Sequence, residues 1–219
     1  MHQVLVFDLD DTLYKEIDFL KSAYWQIANL VGDEGDPKNV FGEMMKAYYR
    51  NDSVFQYFIS KFCPHETISH LLEIYRNHHP NISLSPDIAE ALANLSSVAT
   101  LAIITDGRSI TQRNKINALR LKHFFHDGDI LISEETGYEK PSEVPFRLLM
   151  DRYPGSEFSY VGDNTEKDFI APNKLGWNTI CLRDNGQNIH PQHFDVTANF
   201  QPKRIVNSLH EVACFCGIV

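Results

Sequence analysis

Five short apolar runs recur along this chain, and a turn-forming, hydroxyl or charged residue cuts off each one. Residues 4–7 (VLVF) run into Asp8, and residues 99–104 (ATLAII) end at Thr105-Asp106-Gly107. Ile130–Ile132 is followed by Ser133, residues 158–161 (FSYV) by Gly162-Asp163, and residues 179–182 (TICL) by Arg183-Asp184. Runs of this length, bounded this way, read as buried strands. Helical patterns separate them. Residues 109–119 follow the second run, and residues 142–153 follow the third, with Ser142 as N-cap and Pro154 as the stop. Residues 165–175 follow the fourth, with Thr165 as cap, Gly176 past the end, and Pro172 marking a kink or early stop. Strands alternating with helices predict an α/β chain: a Rossmann-like, mostly parallel sheet with helices on both faces.

Residues 14–84 break that rhythm. They predict helices over 18–30, 37–50, 52–62 and 64–77 with no strand, and a turn over 32–37 (GDEGDP). Ser85-Pro86 then opens a helix that returns to the sheet, with proline at the first helical position. The reading is one α/β domain, 1–13 plus 85–219, with a helical domain, 14–84, inserted after the first strand. The tail after Asp184 predicts one helix, over 205–214.

Charge narrows the partners. Lys and Arg number 20 against 29 Asp and Glu, a net −9, whereas a nucleic-acid duplex rewards a basic face. No window approaches the roughly 18 apolar residues of a membrane span, so no membrane partner is expected. The first residues carry no basic region followed by a long apolar stretch. Cys63, Cys181, Cys214 and Cys216 are few for this length, which fits reduced thiols and a cytoplasmic setting.

The chemistry gathers at strand ends. Asp8 and Asp10 are two apart after the first run, so extended backbone puts them on one face. Asp163 and Asp168 follow the fourth run, and Lys140 precedes it by one helix. The carboxyl edge of an open α/β sheet is where ligands bind. Four carboxylates around one point would repel an incoming phosphate dianion. A hard divalent cation with oxygen ligands, Mg²⁺ above all, would balance them, and Lys140 would bring the site near neutrality.

These elements resemble the haloacid dehalogenase superfamily. Its pattern is D-x-D-x-T, then Thr or Ser, then Lys, then G-D-x-x-x-x-D. Here Asp8-Leu9-Asp10-Asp11-Thr12, Thr105, Lys140, and Gly162-Asp163 with Asp168 stand in that order. The insertion at 14–84 is similar to the family's helical (C1-type) cap. The resemblance implies a Mg²⁺-dependent phosphatase acting on a small phosphorylated metabolite, such as a nucleotide or sugar phosphate. Asp8 would be the nucleophile, passing through an aspartyl-phosphate. Asp10 would be the acid–base residue, protonated at the start. Thr12, Thr105, Asp106 and Lys140 would bind phosphate, the loop at Asp106 through backbone N–H groups. Asp8, Asp163, Asp168 and the backbone carbonyl of Asp10 would hold the metal. Members with a second aspartate are phosphatases or phosphomutases, so Asp10 argues against dehalogenation. Asp106 is a departure, because many capped members have Asn there. The alternatives are a phosphomutase-type phosphotransferase and, less favoured, a non-catalytic phosphate-binding or signalling protein.

Other features have plainer readings. Asp11 is a loop or capping residue, Arg108 a surface arginine, and His78-His79 a solvated helix end. His65 and His70 are five apart and share no helix face, which rules out a zinc-protease motif. The many rings between Tyr14 and Tyr75 supply the insertion's own core.

Overall fold

The computed structural model describes residues 2–30 and 35–215. Six strands form one parallel sheet: β1 (Gln3–Phe7), β2 (Thr100–Thr105), β3 (Ile130–Ile132), β4 (Glu157–Gly162), β5 (Asn178–Leu182) and β6 (Arg204–Val206), in the order β3-β2-β1-β4-β5-β6. β1 is apolar on both faces because both are covered. Leu5 and Phe7 join a cluster with Leu92, Ile116 and Val161. Val4 and Val6 join another with Ile104, Phe146, Tyr160 and Trp177. The strand order reverses at β1, between β2 and β4. Such a switch point leaves a crevice beyond the carboxyl ends of the strands, and that crevice positions the site.

Ten α-helices and several short 3-10 turns complete the described chain. α1 (Glu16–Ala28), α2 (Pro37–Tyr49), α3 (Val54–Lys61) and α4 (Ile68–Asn77) lie between β1 and the return helix α5 (Pro86–Ser96). Their inward residues, among them Leu20, Ile27, Met44, Phe58 and Leu71, form a third apolar cluster away from the sheet. Asp36 caps α2 through the Lys38 N–H at 3.0 Å. Thr67 caps α4 through the His70 N–H at 3.2 Å, which delays that helix to Ile68 instead of residue 64. The expected return helix forms, and Ser85 caps it by accepting the Ile88 N–H at 3.3 Å. α6 (Ser109–Ala118), α7 (Ser133–Thr136), α8 (Val144–Arg152), α9 (Ile170–Lys174) and α10 (His210–Phe215) follow. None of the described helices is long and apolar enough to cross a membrane.

Several expected boundaries move for physical reasons. The helix expected over 165–175 is only Ile170–Lys174, because residues 165–169 turn to bring Asp168 back onto the Gly162 loop. Pro172 is the third residue of α9, where a missing N–H costs no intrahelical bond. α8 starts at Val144, with Ser142 one residue too early to be its cap. The helix expected over 205–214 is overturned at its start: Arg204–Val206 is an edge strand on β5, and α10 begins at His210. His78 is not solvated. It is buried against Phe19, with its Nδ1 bonded to the Tyr75 carbonyl at 2.9 Å. The turn over 32–37 and Cys216 lie partly or wholly outside the described residues.

Candidate active site

The Asp8 N–H still pairs with the Val161 carbonyl at 2.8 Å, so Asp8 leaves β1 in register with β4. That pairing puts its carboxylate beside the loop that ends β4. One oxygen each from Asp8, Asp163 and Asp168 lies within 4.8 Å of the others, and all three residues are buried. Lys140 reaches them from the far side. Its Nζ lies 2.8 Å from Asp8 Oδ1, 2.8 Å from Asp168 Oδ1 and 3.1 Å from the Tyr160 hydroxyl. Burial works against a charged Lys140, but Asp168 and Asp8 outweigh it and hold its pKa well above the ordinary lysine value.

Asp168 organises this corner. Its Oδ2 accepts the N–H groups of Asp163 and Asn164 at 3.1 and 2.9 Å, while Oδ1 takes Lys140. Gly162 is required by that approach, since a Cβ there would stand 2.5 Å from Asp168 Oδ2. Asp163 and Asp8 are less fully satisfied. Burial, then Asp168, then Asp8 push Asp163 up to about 9. Burial raises Asp8 to about 7, with Lys140 opposing and Asp168 adding to the rise. Both carboxylates are therefore hard to ionise together without more positive charge nearby. An all-oxygen, anionic donor set of this kind fits a hard divalent cation.

Asp10 is placed differently. Its carboxylate lies outside that trio and is gripped by Lys115 Nζ at 2.7 and 2.9 Å, by Gln112 Nε2 at 3.0 Å, and by the Tyr14 hydroxyl. Burial, the largest single influence, favours its neutral form, but Lys115, Tyr14 and Gln112 together outweigh it and the pKa falls below the ordinary carboxylate value. Thr105 is buried, and its hydroxyl accepts Gln112 at 2.7 Å. The Asp106 side chain takes the Lys140 N–H at 3.0 Å and Lys167 Nζ at 2.8 Å, so it serves the loop and Lys167. Thr12 is buried without a hydrogen-bond partner for its hydroxyl among the described residues. It lines the neighbouring recess beside Asp11.

A cavity of about 110 Å³ opens over the cluster, lined by Asp8, Asp10, Glu16, Thr105, Lys167 and His190 among others. A larger hollow of about 550 Å³ lies at Thr100, Asp129 and Arg152, near the amino end of β2. Its arginine is already paired with Asp129 at 2.7 Å, and it adds no chemistry.

Sequence reasoning missed several residues here. Gln112 and Lys115 are three apart on α6, and that shared helix face was the available signal. Glu16 at the start of α1 and Lys167 in the β4 loop also line or edge the cavity. The tail contributes more than its weak patterning suggested. Asp184 gathers the N–H groups of Gly186, Gln187 and Asn188. Asn188 donates to Asp163 Oδ2 at 2.8 Å, and the Ile189 N–H ties to Asp11 at 2.9 Å. Asp11 keeps a loop role, in left-handed conformation at φ 55°. Arg108 stays on the surface.

Comparison with known proteins agrees with this geometry. Residues 5–182 match the model of the haloacid dehalogenase-like hydrolase family. Glyceraldehyde 3-phosphate phosphatase of Methanopyrus kandleri is 25% identical over 233 residues, covering 97% of this chain and 99% of its own. Ribulose-1,5-bisphosphate 5-phosphatase of Halopiger xanaduensis is 36% identical over 104 residues, 46% of this chain and 43% of its own. Among solved structures, the magnesium-bound HAD-hydrolase YfnB of Bacillus subtilis superposes with a TM-score of 0.68 at 20% identity, covering 98% of both chains. With a family match over most of its length, the chain belongs to the haloacid dehalogenase-like hydrolase family.

Proposed function

We propose that this protein is a Mg²⁺-dependent phosphatase that hydrolyses a small sugar phosphate through an aspartyl-phosphate on Asp8. The observation that carries the reading is the buried trio Asp8, Asp163 and Asp168 with Lys140 inserted among them at the ends of β1 and β4. Relatives named as phosphatases of glyceraldehyde 3-phosphate and of ribulose-1,5-bisphosphate support the substrate class.

Asp8 attacks phosphorus as the bond to the leaving oxygen breaks. Lys140, fixed 2.8 Å from Asp8, stabilises negative charge on the transferring group. An arriving phosphate dianion would raise the proton affinity of Asp10, which takes up a proton from solvent and delivers it to the leaving oxygen. Asp10 then takes a proton from the water that attacks the aspartyl-phosphate, releasing phosphate and restoring Asp8. Asp8, Asp163 and the Asp10 carbonyl would hold the cation, and Asp168 would anchor Lys140 and the β4 loop beside it. When bound, the cation supplies charge neutralisation at the phosphoryl oxygens. Lys167, which lines the cavity, and N–H groups after Thr105 would meet phosphate oxygens, with Thr105 held by Gln112.

In this reading residues 14–84 are a cap over a core made of 1–13 and 85–219. The cap would close on the cleft, exclude water and read the leaving group. The B. subtilis relative's magnesium-bound form, which reveals interdomain movement, supports such a motion.

The test measures phosphate release from a panel of three- to five-carbon sugar phosphates, with Mg²⁺ and with EDTA, for the parent and Asp8→Asn. Release that needs Mg²⁺ and disappears in a folded Asp8→Asn is expected. Equal rates in EDTA, or an active Asp8→Asn, would refute the mechanism.

A further inference from the structure

Helix α6 starts just after the loop that carries Thr105 and Asp106, and it holds a lysine that the mechanism above does not use. Lys115 is 3% exposed. Its Nζ donates to both carboxylate oxygens of Asp10 and lies 4.4 Å from the centre of the Phe19 ring. Among the described residues, Asp10 is its only ion-pair partner. Stability does not account for such a pair, because replacing a buried ion pair with packed apolar side chains is commonly neutral or favourable.

The helix that carries Lys115 is also pinned. Thr111 Oγ1 donates to the Arg76 carbonyl at 3.0 Å, and Asn114 Nδ2 donates to the carbonyls of Asn77 and His78, each at 3.1 Å. These bonds seat α6 on the end of α4. One helix therefore joins the inserted helices to the carboxylate of Asp10.

We propose that Lys115 is a positioning residue: by gripping both oxygens of Asp10 from a seated helix, it sets the direction in which Asp10 meets the leaving-group oxygen. The proposal rests on the reading of Asp10 as proton donor and acceptor. A misplacement of about 1 Å in such a group costs on the order of a hundredfold in rate.

Two aryl phosphates test it. p-Nitrophenyl phosphate releases a phenolate that leaves readily without a proton, whereas phenyl phosphate needs one more. Lys115→Met should lower kcat/KM for phenyl phosphate at least about tenfold more than for p-nitrophenyl phosphate. Asp10→Asn should discriminate in the same sense, and the double variant should lose little beyond Asp10→Asn. Lys115→Arg, which keeps the cation, should recover most of the loss. If Lys115→Met does not fold, Lys115→Gln is read by the same ratio. Equal losses on both substrates, with Asp10→Asn still discriminating, would overturn the positioning role. If Asp10→Asn does not discriminate, the acid–base reading of Asp10 fails and takes this proposal with it.

Discussion

Gly162→Ala isolates the corner on which the acidic cluster depends. The added methyl would stand 2.5 Å from Asp168 Oδ2, 2.9 Å from its Cγ and 3.0 Å from a Tyr160 ring carbon. Ordinary contact begins near 3.4 Å, so the carboxylate must retreat by roughly 1 Å. Tyr160 and Lys140 are fully packed and give it little room. A retreat of that size breaks or stretches the two backbone bonds to Asp163 and Asn164 and disturbs the 2.8 Å contact with Lys140. Hydrogen bonds to a charged group contribute about 1.5–3 kcal/mol each, and overpacking adds about 1–3 kcal/mol. If one of the two backbone bonds is fully lost, the expected destabilisation is about 3–5 kcal/mol. For a chain of this size that lowers the melting temperature by on the order of 10 °C. Thermal melting and Mg²⁺-dependent phosphate release should both register it, the second through a displaced Lys140. A variant that melts within about 1 °C of the parent and keeps full activity would refute the argument that Gly162 exists to admit Asp168.

Stability of the metal-free protein should fall as pH rises. Asp163, at about 9, and Asp8, at about 7, bind protons in the folded state that the unfolded chain, near the ordinary aspartate value of 3.8, has already released. Their contribution is thus complete at low pH and lost on the way up to pH 9. Melting in EDTA from pH 5 to 9 should show this decline, flattened in Asp163→Asn and by added Mg²⁺; a parent curve parallel to that of Asp163→Asn would contradict it. Glu16 faces the cavity with no hydrogen bond to its carboxylate among the described residues, and burial, then Asp10, raises it to about 8. Glu16→Gln should raise KM for hydroxyl-rich sugar phosphates about tenfold, the equivalent of about 1.4 kcal/mol, and leave p-nitrophenyl phosphate unchanged. Equal effects on both would remove Glu16 from leaving-group recognition.

The central sheet was legible because β1 and β2 are covered on both faces, so their apolar runs stand out against polar loops. β6 was not, because Arg204 and Ile205 are exposed and only Val206 is buried, leaving backbone pairing with β5 as its main support. Asp8 and Asp163 were legible because each stands at or just past the end of an apolar run, and Asp168 because it completes the G-D-x-x-x-x-D spacing. Lys115 and Gln112 were not. A buried polar residue on a helix looks like a solvated one until its partner is known, and Asp10 lies more than 100 positions away. The 184–192 segment was hidden for a related reason: it holds the site through backbone N–H groups and amides, which leave no hydropathy pattern.

The central place of β1 has a consequence for how the chain is made. β1 is translated before both of its neighbours in the sheet, and one of them, β4, comes about 150 residues later. Until Glu157–Gly162 has left the ribosome, β1 has an unpaired edge of apolar backbone, the kind of edge that recruits other strands. During that interval Asp8 stays apart from Asp163 and Asp168, so the cluster is not assembled before Lys140 is present to meet it. Fragments ending before and after β4 should differ sharply in solubility, because the same pairing event closes the sticky edge and assembles the acidic cluster.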